Sequence, residues 1–208
     1  MARPDSAQAA WDLLRHGNQN FVDGSPAHPR QDAEMRVELA SEQAPFAALF
    51  GCSDSRLSAE MIFDVGLGDL FVVRNAGQVI AETILGSLEF AVEVLKVPLI
   101  LVLGHDECGA VKASISAFQG KLESKGKFIT NLVNRIQPTI ERSLRSGEST
   151  LDQITHRHIQ DTIDELVERS ELIASYVQSG RLAVVGAEYR LAEGKVSMVS
   201  SLGPVGKE

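Results

Sequence analysis

Short apolar runs bounded by turn residues recur along the chain and predict the strands of one sheet. Uninterrupted apolar runs of this length are typical of strands that are buried on both faces of a parallel sheet. The last two runs are separated only by a turn that contains Glu193 and Gly194, so we expect those two strands to pair antiparallel. The predicted strands lie at residues 46–50, 70–74, 99–103, 182–187 and 196–199.

Helical periodicity occupies the intervals between these runs and predicts crossover helices, which build right-handed βαβ units. We expect Pro138 to kink or begin a helix, and Gly180 to end the longest periodic segment. The predicted fold class is α/β: three layers, with a mostly parallel β-sheet that has an antiparallel edge strand and is flanked by helices. The periodic segments between the strands lie at residues 59–63, 84–95, 109–118, 129–144 and 151–177, and two further ones, 5–23 and 35–39, precede the first strand.

Residues 1–44 precede the sheet and form an N-terminal helical arm. Trp11, Leu14, Phe21 and Val22 recur at roughly helical spacing within it. Because an exposed tryptophan or phenylalanine is costly, we expect this arm to pack on a surface. The pattern alone leaves open whether that surface belongs to the same chain or to a partner subunit.

Length and charge narrow the function classes. A chain of 208 residues suits a single domain, 1–208. The formal net charge of −8 argues against a nucleic-acid partner. We find no apolar leader segment and no run that approaches the roughly 18 apolar residues of a membrane span, so we expect a cytoplasmic protein without a membrane partner.

Two cysteines and one histidine carry the main chemical signal. Cys52 follows the first predicted strand, and His105 and Cys108 share the loop after the third. Parallel strands bring their carboxyl ends to one edge of the sheet, where open α/β sheets place ligand sites. Two thiolates and an imidazole are a zinc donor set that leaves a fourth position open, as catalytic zinc sites do. We therefore expect one Zn²⁺ per chain.

Two other uses of the cysteines are weaker. They could be buried apolar thiols, but the shared loop of His105 and Cys108 argues for a ligand set. They could instead form a redox pair, but no Cys-x-x-Cys is present and His105 would then have no role. A second pair of histidines, His156 and His158, lies two residues apart on a predicted helix and does not share a face, so no metal site is expected there.

Asp54 and Arg56 lie two residues apart in the loop after Cys52. An ordinary solvent-facing ion pair is one interpretation, and such pairs contribute little stability. The position of Asp54, two residues from Cys52, favours a role in the chemistry instead. Its carboxylate is either a fourth zinc ligand in a closed state or a hydrogen-bond acceptor for the group that occupies the fourth position.

The motif Cys52-x-Asp54-x-Arg56, followed by His105-x-x-Cys108-Gly109, resembles the β-class carbonic anhydrases. The resemblance extends from about Trp11 through Val199. It implies an α/β fold, a homo-oligomer that is a dimer or a dimer of dimers, and N-terminal helices that embrace the partner subunit. It also implies zinc-dependent reversible hydration of carbon dioxide to bicarbonate and a proton.

Individual residues match the family's functional positions. By this resemblance Cys52, His105 and Cys108 are zinc ligands, and Asp54 with Arg56 is the catalytic pair. The resemblance also implies that the carbon dioxide pocket is lined by Gln43, Phe71 and Phe90. It implies that the backbone N–H of Gly109 meets the bound substrate.

At one position this chain differs from the family members that bicarbonate regulates. Those members carry tryptophan where this chain has Leu49, although Gly51, Arg74 and Tyr189 match the rest of their bicarbonate pocket. We therefore expect pH, more than bicarbonate, to set whether Asp54 closes the site.

The mechanism expected from charge begins with zinc, which lowers the pKa of a bound water to about 7 and provides hydroxide at neutral pH. Asp54, held by Arg56, would orient that hydroxide toward carbon dioxide. Two alternatives stay open at this point. The protein could use the same zinc site to hydrolyse carbonyl sulfide or carbon disulfide. It could instead be a non-catalytic zinc-binding or redox-sensing protein.

Overall fold

A five-stranded sheet with the order β2-β1-β3-β4-β5 organises the protein, which we describe from a computed structural model covering residues 3–122 and 126–206. β1, β2, β3 and β4 are parallel, and β5 pairs antiparallel with β4. The predicted fold class and all five predicted strands are confirmed. The strands are β1 (Ala47–Cys52), β2 (Leu70–Asn75), β3 (Leu99–His105), β4 (Ala183–Arg190) and β5 (Lys195–Leu202).

Helices cover both faces of this sheet. One apolar cluster joins α1, α3, α5 and α6 to one face, and a second cluster joins α4 and α8 to the other. β1 and β3 are buried at every position, as expected for central strands between two helical layers. The helices are α1 (Ala7–Val22), α2 (Ala33–Glu38), α3 (Ala59–Ile62), α4 (Glu82–Glu93), α5 (Gly109–Phe118), α6 (Lys127–Arg145), α7 (Leu151–Arg169) and α8 (Glu171–Gln178), with a 3₁₀ turn at Ala76–Gln78.

The first helix of the N-terminal arm packs on its own chain. Trp11 is only 1% exposed and lies in the core with Leu14. The Asn18 side chain donates hydrogen bonds to the carbonyl oxygens of Ile62 (3.1 Å) and Gly194 (2.8 Å), which ties α1 to the sheet domain. Trp11 is therefore buried against its own chain, which is one of the two surfaces that the pattern left open. Packing of the arm on a partner subunit stays a prediction. By contrast α2 buries none of its residues, and Val37 on it is 77% exposed.

The structure corrects one prediction about helix ends and narrows another. The periodic segment 151–177 is two helices, because Ser170 adopts extended angles (φ −115°, ψ 101°) and begins α8 as its N-cap. Its Oγ accepts the Ile173 N–H (3.1 Å) and donates to a Glu89 carboxylate oxygen (2.6 Å), bonds that compete with a continuous helix. Pro138 lies inside α6, so of the two outcomes predicted for it, the start of a helix is excluded.

Among the residues that the structure describes, no helix is both long and apolar enough to cross a membrane.

Candidate metal centre

The carboxyl ends of two neighbouring strands bring three candidate ligands together. Cys52 is the last residue of β1, His105 is the last residue of β3, and Cys108 is the N-cap of α5. One donor atom from each lies within 4.8 Å of the other two, and all three residues are buried. The structure thus joins the predicted ligand set in one group that could hold a metal ion.

The loop between β3 and α5 is held in place by the neighbouring strand. The Asp106 N–H donates to the Tyr189 carbonyl (3.2 Å), and the Asp106 carboxylate accepts the Leu191 N–H (2.8 Å). Before this loop, Gly104 has no room for a side chain, because an added Cβ would lie 2.6 Å from carbons of Ile159. The close approach of α7 to β3 therefore requires glycine next to His105.

The imidazole of His105 has a fixed orientation. Its Nδ1 lies 2.7 Å from the Asp106 carbonyl oxygen, and because a carbonyl only accepts, Nδ1 carries the hydrogen. Nε2 then holds the lone pair, and it is buried without a hydrogen-bond partner among the described residues. A metal-bound histidine typically donates its other ring N–H in this way. The buried lone pair of Nε2 is therefore suited to a metal ion.

The pKa values of the two cysteine thiols shift in opposite directions. The pKa of Cys52 is lowered, first by a hydrogen bond from Cys108 and also by the hydrogen bond from the Gly77 N–H. The pKa of Cys108 is raised, because the Cys52 thiolate beside it and burial both disfavour a second charge. Both cysteines are free, and a bound cation would favour release of the second proton. Two thiolates and one imidazole fit zinc, which prefers sulfur and nitrogen ligands.

Asp54 and Arg56 form a close pair beside this group. Arg56 Nε donates to Asp54 Oδ1 (2.9 Å), Nη2 donates to Oδ2 (2.7 Å), and the Arg56 backbone N–H adds a third bond to Oδ1 (3.0 Å). The Arg56 guanidinium lowers the pKa of the Asp54 carboxyl below its ordinary value. Asp54 Oδ2 lies 3.9 Å from His105 Nε2, so an ionised carboxylate lies beside the ligand group.

The same loop is held from behind by Arg74, a role that the sequence did not indicate. Its Nε donates to the Cys52 carbonyl oxygen (2.9 Å), and its Nη2 donates to the Asp54 carbonyl oxygen (2.7 Å). The resemblance had assigned Arg74 to a bicarbonate pocket. In this structure its guanidinium binds the backbone that carries a candidate ligand and the adjacent carboxylate.

Three of the four predicted pocket residues are not brought to this site within the chain. Phe71 pairs with Ala48 in β1, four residues before Cys52, which is roughly 13 Å along a strand. Phe90 on α4 lies against Phe71, with ring centroids 6.1 Å apart, and Gln43 precedes β1, beyond its opposite end. Gly109 follows Cys108 directly and begins α5, so it alone among the four adjoins the candidate ligands.

Two further residues near the ligands were missed. The Gly77 N–H donates to Cys52 Sγ at 3.3 Å, and the buried His158 Nε2 lies 2.7 Å from the Gly77 carbonyl oxygen. The sequence carries no local signal for either contact. His156, two residues away, instead lies 3.1 Å from a Glu188 carboxylate oxygen, so the two histidines do not share a site, as predicted.

Comparisons with known proteins agree with this geometry. The profile of the carbonic anhydrase family matches residues 47–196. Carbonic anhydrase of Mycolicibacterium smegmatis is 48% identical over 200 residues, which cover 96% of each chain. Carbonic anhydrase 2 of Mycobacterium tuberculosis is 46% identical over 201 residues, again 96% of each chain.

A solved structure gives the same result for the fold. The β-carbonic anhydrase CcaA superposes with a TM-score of 0.71 at 26% identity, and the match covers 95% of this chain and 93% of that one. The mostly parallel sheet, the Cys-His-Cys group at its edge and these similarities agree on one family. The chain belongs to the carbonic anhydrase family, and within it to the β-class enzymes.

Proposed function

We propose that this protein catalyses the zinc-dependent, reversible hydration of carbon dioxide to bicarbonate and a proton. One Zn²⁺ per chain would be held by Cys52, His105 and Cys108. The observation that carries the proposal is the buried lone pair of His105 Nε2, which has no partner among the described residues, on a residue whose ligand atom lies within 4.8 Å of those of both cysteines. An unpaired buried polar atom is costly, and a metal ion would remove that cost.

Zinc, when bound, supplies a Lewis acid that makes water nucleophilic near neutral pH. The residues of the chain supply orientation. Asp54 is ionised at neutral pH, because Arg56 lowers the pKa of its carboxyl, and it is held in one position by two side-chain bonds. We propose that this carboxylate accepts a hydrogen bond from the reacting water and so directs the oxygen lone pair toward carbon dioxide. That Asp54 becomes a fourth ligand at acid pH stays a prediction.

The amino end of α5 adjoins the candidate ligands. Cys108 caps that helix, and backbone N–H groups of Ala110 and Val111 lower the pKa of its thiol, opposing the effects that raise it. The first residue of the helix, Gly109, is exposed next to the ligands. Helix N-termini favour negative charge, so we propose that the Gly109 N–H meets the developing bicarbonate.

The remaining pocket residues support assembly of the active protein from more than one copy. Phe90 is 44% exposed in the single chain, and Val94, one helical turn further along, is exposed as well. Phe71 and Gln43 lie away from Cys52 of their own chain. We propose that Gln43, Phe71 and Phe90 line the site of a second copy in a dimer or a dimer of dimers. An apolar lining suits carbon dioxide, which has no charge and no permanent dipole.

No specific observation favours the alternatives. Hydrolysis of carbonyl sulfide or carbon disulfide, and a non-catalytic zinc or redox role, gain no support from relatives that are named carbonic anhydrases. The two free cysteines agree with a reducing compartment, and a cytoplasmic location stays a prediction.

The test of the proposal is stopped-flow hydration of carbon dioxide by the zinc-loaded protein, with Cys108→Ser as the control. We expect hydration by the parent protein and its loss in the variant, together with loss of bound zinc. A parent protein that binds one zinc per chain and does not hydrate carbon dioxide contradicts the proposal. Assays with carbonyl sulfide and carbon disulfide on the same preparation then separate the sulfur substrates from the non-catalytic alternative.

A further inference from the structure

A short turn behind Cys52 is closed by its own side chains. We call residues 75–79 the Gly77 turn. The Asn75 side chain donates from Nδ2 to the Val79 carbonyl oxygen (2.7 Å) and accepts the Val79 N–H at Oδ1 (2.9 Å). These two bonds join the ends of the turn and leave the peptide groups of Gly77, at its centre, to be oriented by other contacts.

The N–H of Gly77 points from this turn to the sulfur of Cys52, at 3.3 Å. Gly77 has a φ of 74°, which favours glycine, and an added Cβ would lie 2.7 Å from Ala110 Cβ and 3.1 Å from Ile136 Cδ1. The turn is therefore wedged between Cys52 on one side and the helices α5 and α6 on the other. Only glycine fits at its centre.

The carbonyl oxygen of the same residue is bonded from a third helix. His158 of α7 is buried, and its Nε2 lies 2.7 Å from the Gly77 oxygen. Because a carbonyl oxygen only accepts, Nε2 carries the hydrogen and donates it. Burial lowers the pKa of His158, which agrees with a neutral ring in this position. Gly77 thus receives a hydrogen bond on its oxygen and gives one to the candidate metal ligand.

We infer that His158 is a positioning residue for the metal ligand Cys52 and acts through Gly77. The inference rests on the proposed zinc site. Its physical basis is that a hydrogen bond to a thiolate sulfur lowers the basicity of that sulfur and keeps it aimed at the metal. Without the imidazole, the Gly77 oxygen loses a buried partner, and the turn relaxes to find another one. The N–H of Gly77 then leaves Cys52 Sγ, and the ligand becomes more basic and less ordered.

Three substitutions of His158 separate this role from simple core packing. His158→Gln keeps an N–H donor, since the side-chain amide of glutamine extends about as far from the backbone as the ring Nε2 does. His158→Leu fills the site without any donor. His158→Asn keeps the polarity of glutamine, but its donor is one methylene too short to reach the Gly77 oxygen. His156→Leu is the matched control, because it removes an imidazole from the same helix that contacts Glu188 and not Gly77.

Zinc affinity is measured by competition with a chelator, and the cobalt(II)-substituted protein is examined for its sulfur-to-metal charge-transfer band. Loss of a group that orients a metal ligand costs about 10–100-fold in affinity, and we expect that loss in His158→Leu and His158→Asn. We also expect the charge-transfer band to shift in both. His158→Gln and His156→Leu should keep the parent affinity and the parent spectrum.

Equal zinc affinity and an unchanged cobalt spectrum in His158→Leu overturn the inference. If His158→Leu does not fold, the comparison of His158→Asn with His158→Gln decides it, and equal affinities in that pair overturn the inference as well. Failure of the parent protein to bind zinc is a different outcome, because it contradicts the proposed function from which the inference starts.

Discussion

Arg56 holds Asp54 by two side-chain hydrogen bonds, and the Asp54 carboxylate lies 3.9 Å from His105 Nε2 as a result. Asp54 and Arg56 are two positions apart in the sequence, so this pair forms within one loop. The two bonds leave the Asp54 carboxylate little freedom to rotate, so it stays next to the ligand group. In the proposed mechanism this pair is the orienting group of the site.

Removing the guanidinium should therefore reduce activity far more than stability. For Arg56→Ala we expect kcat/KM for carbon dioxide hydration to fall by about 10²-fold, the usual cost of misplacing a reacting group. The free energy of unfolding should change little, since the Arg56 side chain is half exposed and exposed pairs contribute little. Stopped-flow kinetics and urea unfolding measure the two effects. Arg56→Lys, which keeps the charge and loses the two-point contact, should fall between parent and Arg56→Ala. Equal kcat/KM in all three proteins would contradict the orienting role.

Removing one sulfur should empty the metal site. We expect Cys52→Ser to lose most of its zinc and all hydration activity, because a hydroxyl oxygen is a much poorer zinc ligand than a thiolate. Elemental analysis of the purified variant measures this directly, with the parent expected at one zinc per chain. Full zinc content in Cys52→Ser would remove Cys52 from the ligand set.

A single methyl group at Gly104 should disturb both the core and His105. The added Cβ would lie 2.6 Å from Ile159 carbons, and overpacking of this kind costs about 1–3 kcal/mol of unfolding free energy. We expect Gly104→Ala to lose that stability in urea unfolding and to bind zinc more weakly. Gly86→Ala on α4 is the control, because a Cβ there meets no atom within 4 Å. A double variant with Ile159→Ala should lose less than the sum of the two single losses, and strict additivity would contradict the clash.

The buried carboxylate of Asp64 should give the protein a pH-dependent stability. Burial raises the pKa of Asp64, but hydrogen bonds from the Ala27 N–H (2.8 Å), Asn20 (3.0 Å) and the His28 N–H (2.9 Å) outweigh it, so the pKa lies below its ordinary value. A depressed folded pKa means that the stabilisation is present above the unfolded pKa of about 3.9 and is lost as the pH falls through the folded value.

Asp64→Asn should accordingly lower the free energy of unfolding by about 1–3 kcal/mol at neutral pH, the scale of hydrogen bonds to a charged group. The difference from the parent should shrink below a pH of roughly 4. Urea unfolding across that range measures both. The exposed Asp12→Asn serves as control and should differ little from the parent at either pH. A loss in Asp64→Asn that does not depend on pH would show that charge is not its cause.

The proposed pocket predicts that the active protein is at least a dimer. Phe90→Asp places a charge on an exposed apolar position of α4, and we expect it to weaken assembly and to lower hydration activity together. Light scattering and stopped-flow kinetics on the same samples test this. An active monomer at micromolar concentration would contradict the prediction.

The elements and the ligand set follow from local sequence patterns. Apolar runs predicted all five strands. The two central strands β1 and β3 are apolar throughout because both of their faces are buried, whereas the edge strands β2 and β5 are only partly buried. Strand parallelism then placed Cys52, His105 and Cys108 at one edge without any knowledge of packing. Asp54 and Arg56 were predictable as a pair, since two residues in one loop meet whatever the rest of the chain does.

Other features depend on contacts between distant parts of the chain, which periodicity does not encode. Trp11 is buried on its own sheet, although an amphipathic helix carries the same pattern whether it packs on its own chain or on a partner. Ser170 ends a helix because Glu89, 81 residues away, accepts its hydroxyl. His158 reaches Gly77 across the same separation of 81 residues, and through it the sulfur of Cys52. Such contacts exist only after the helices have packed on the sheet, because packing alone sets which buried polar groups meet.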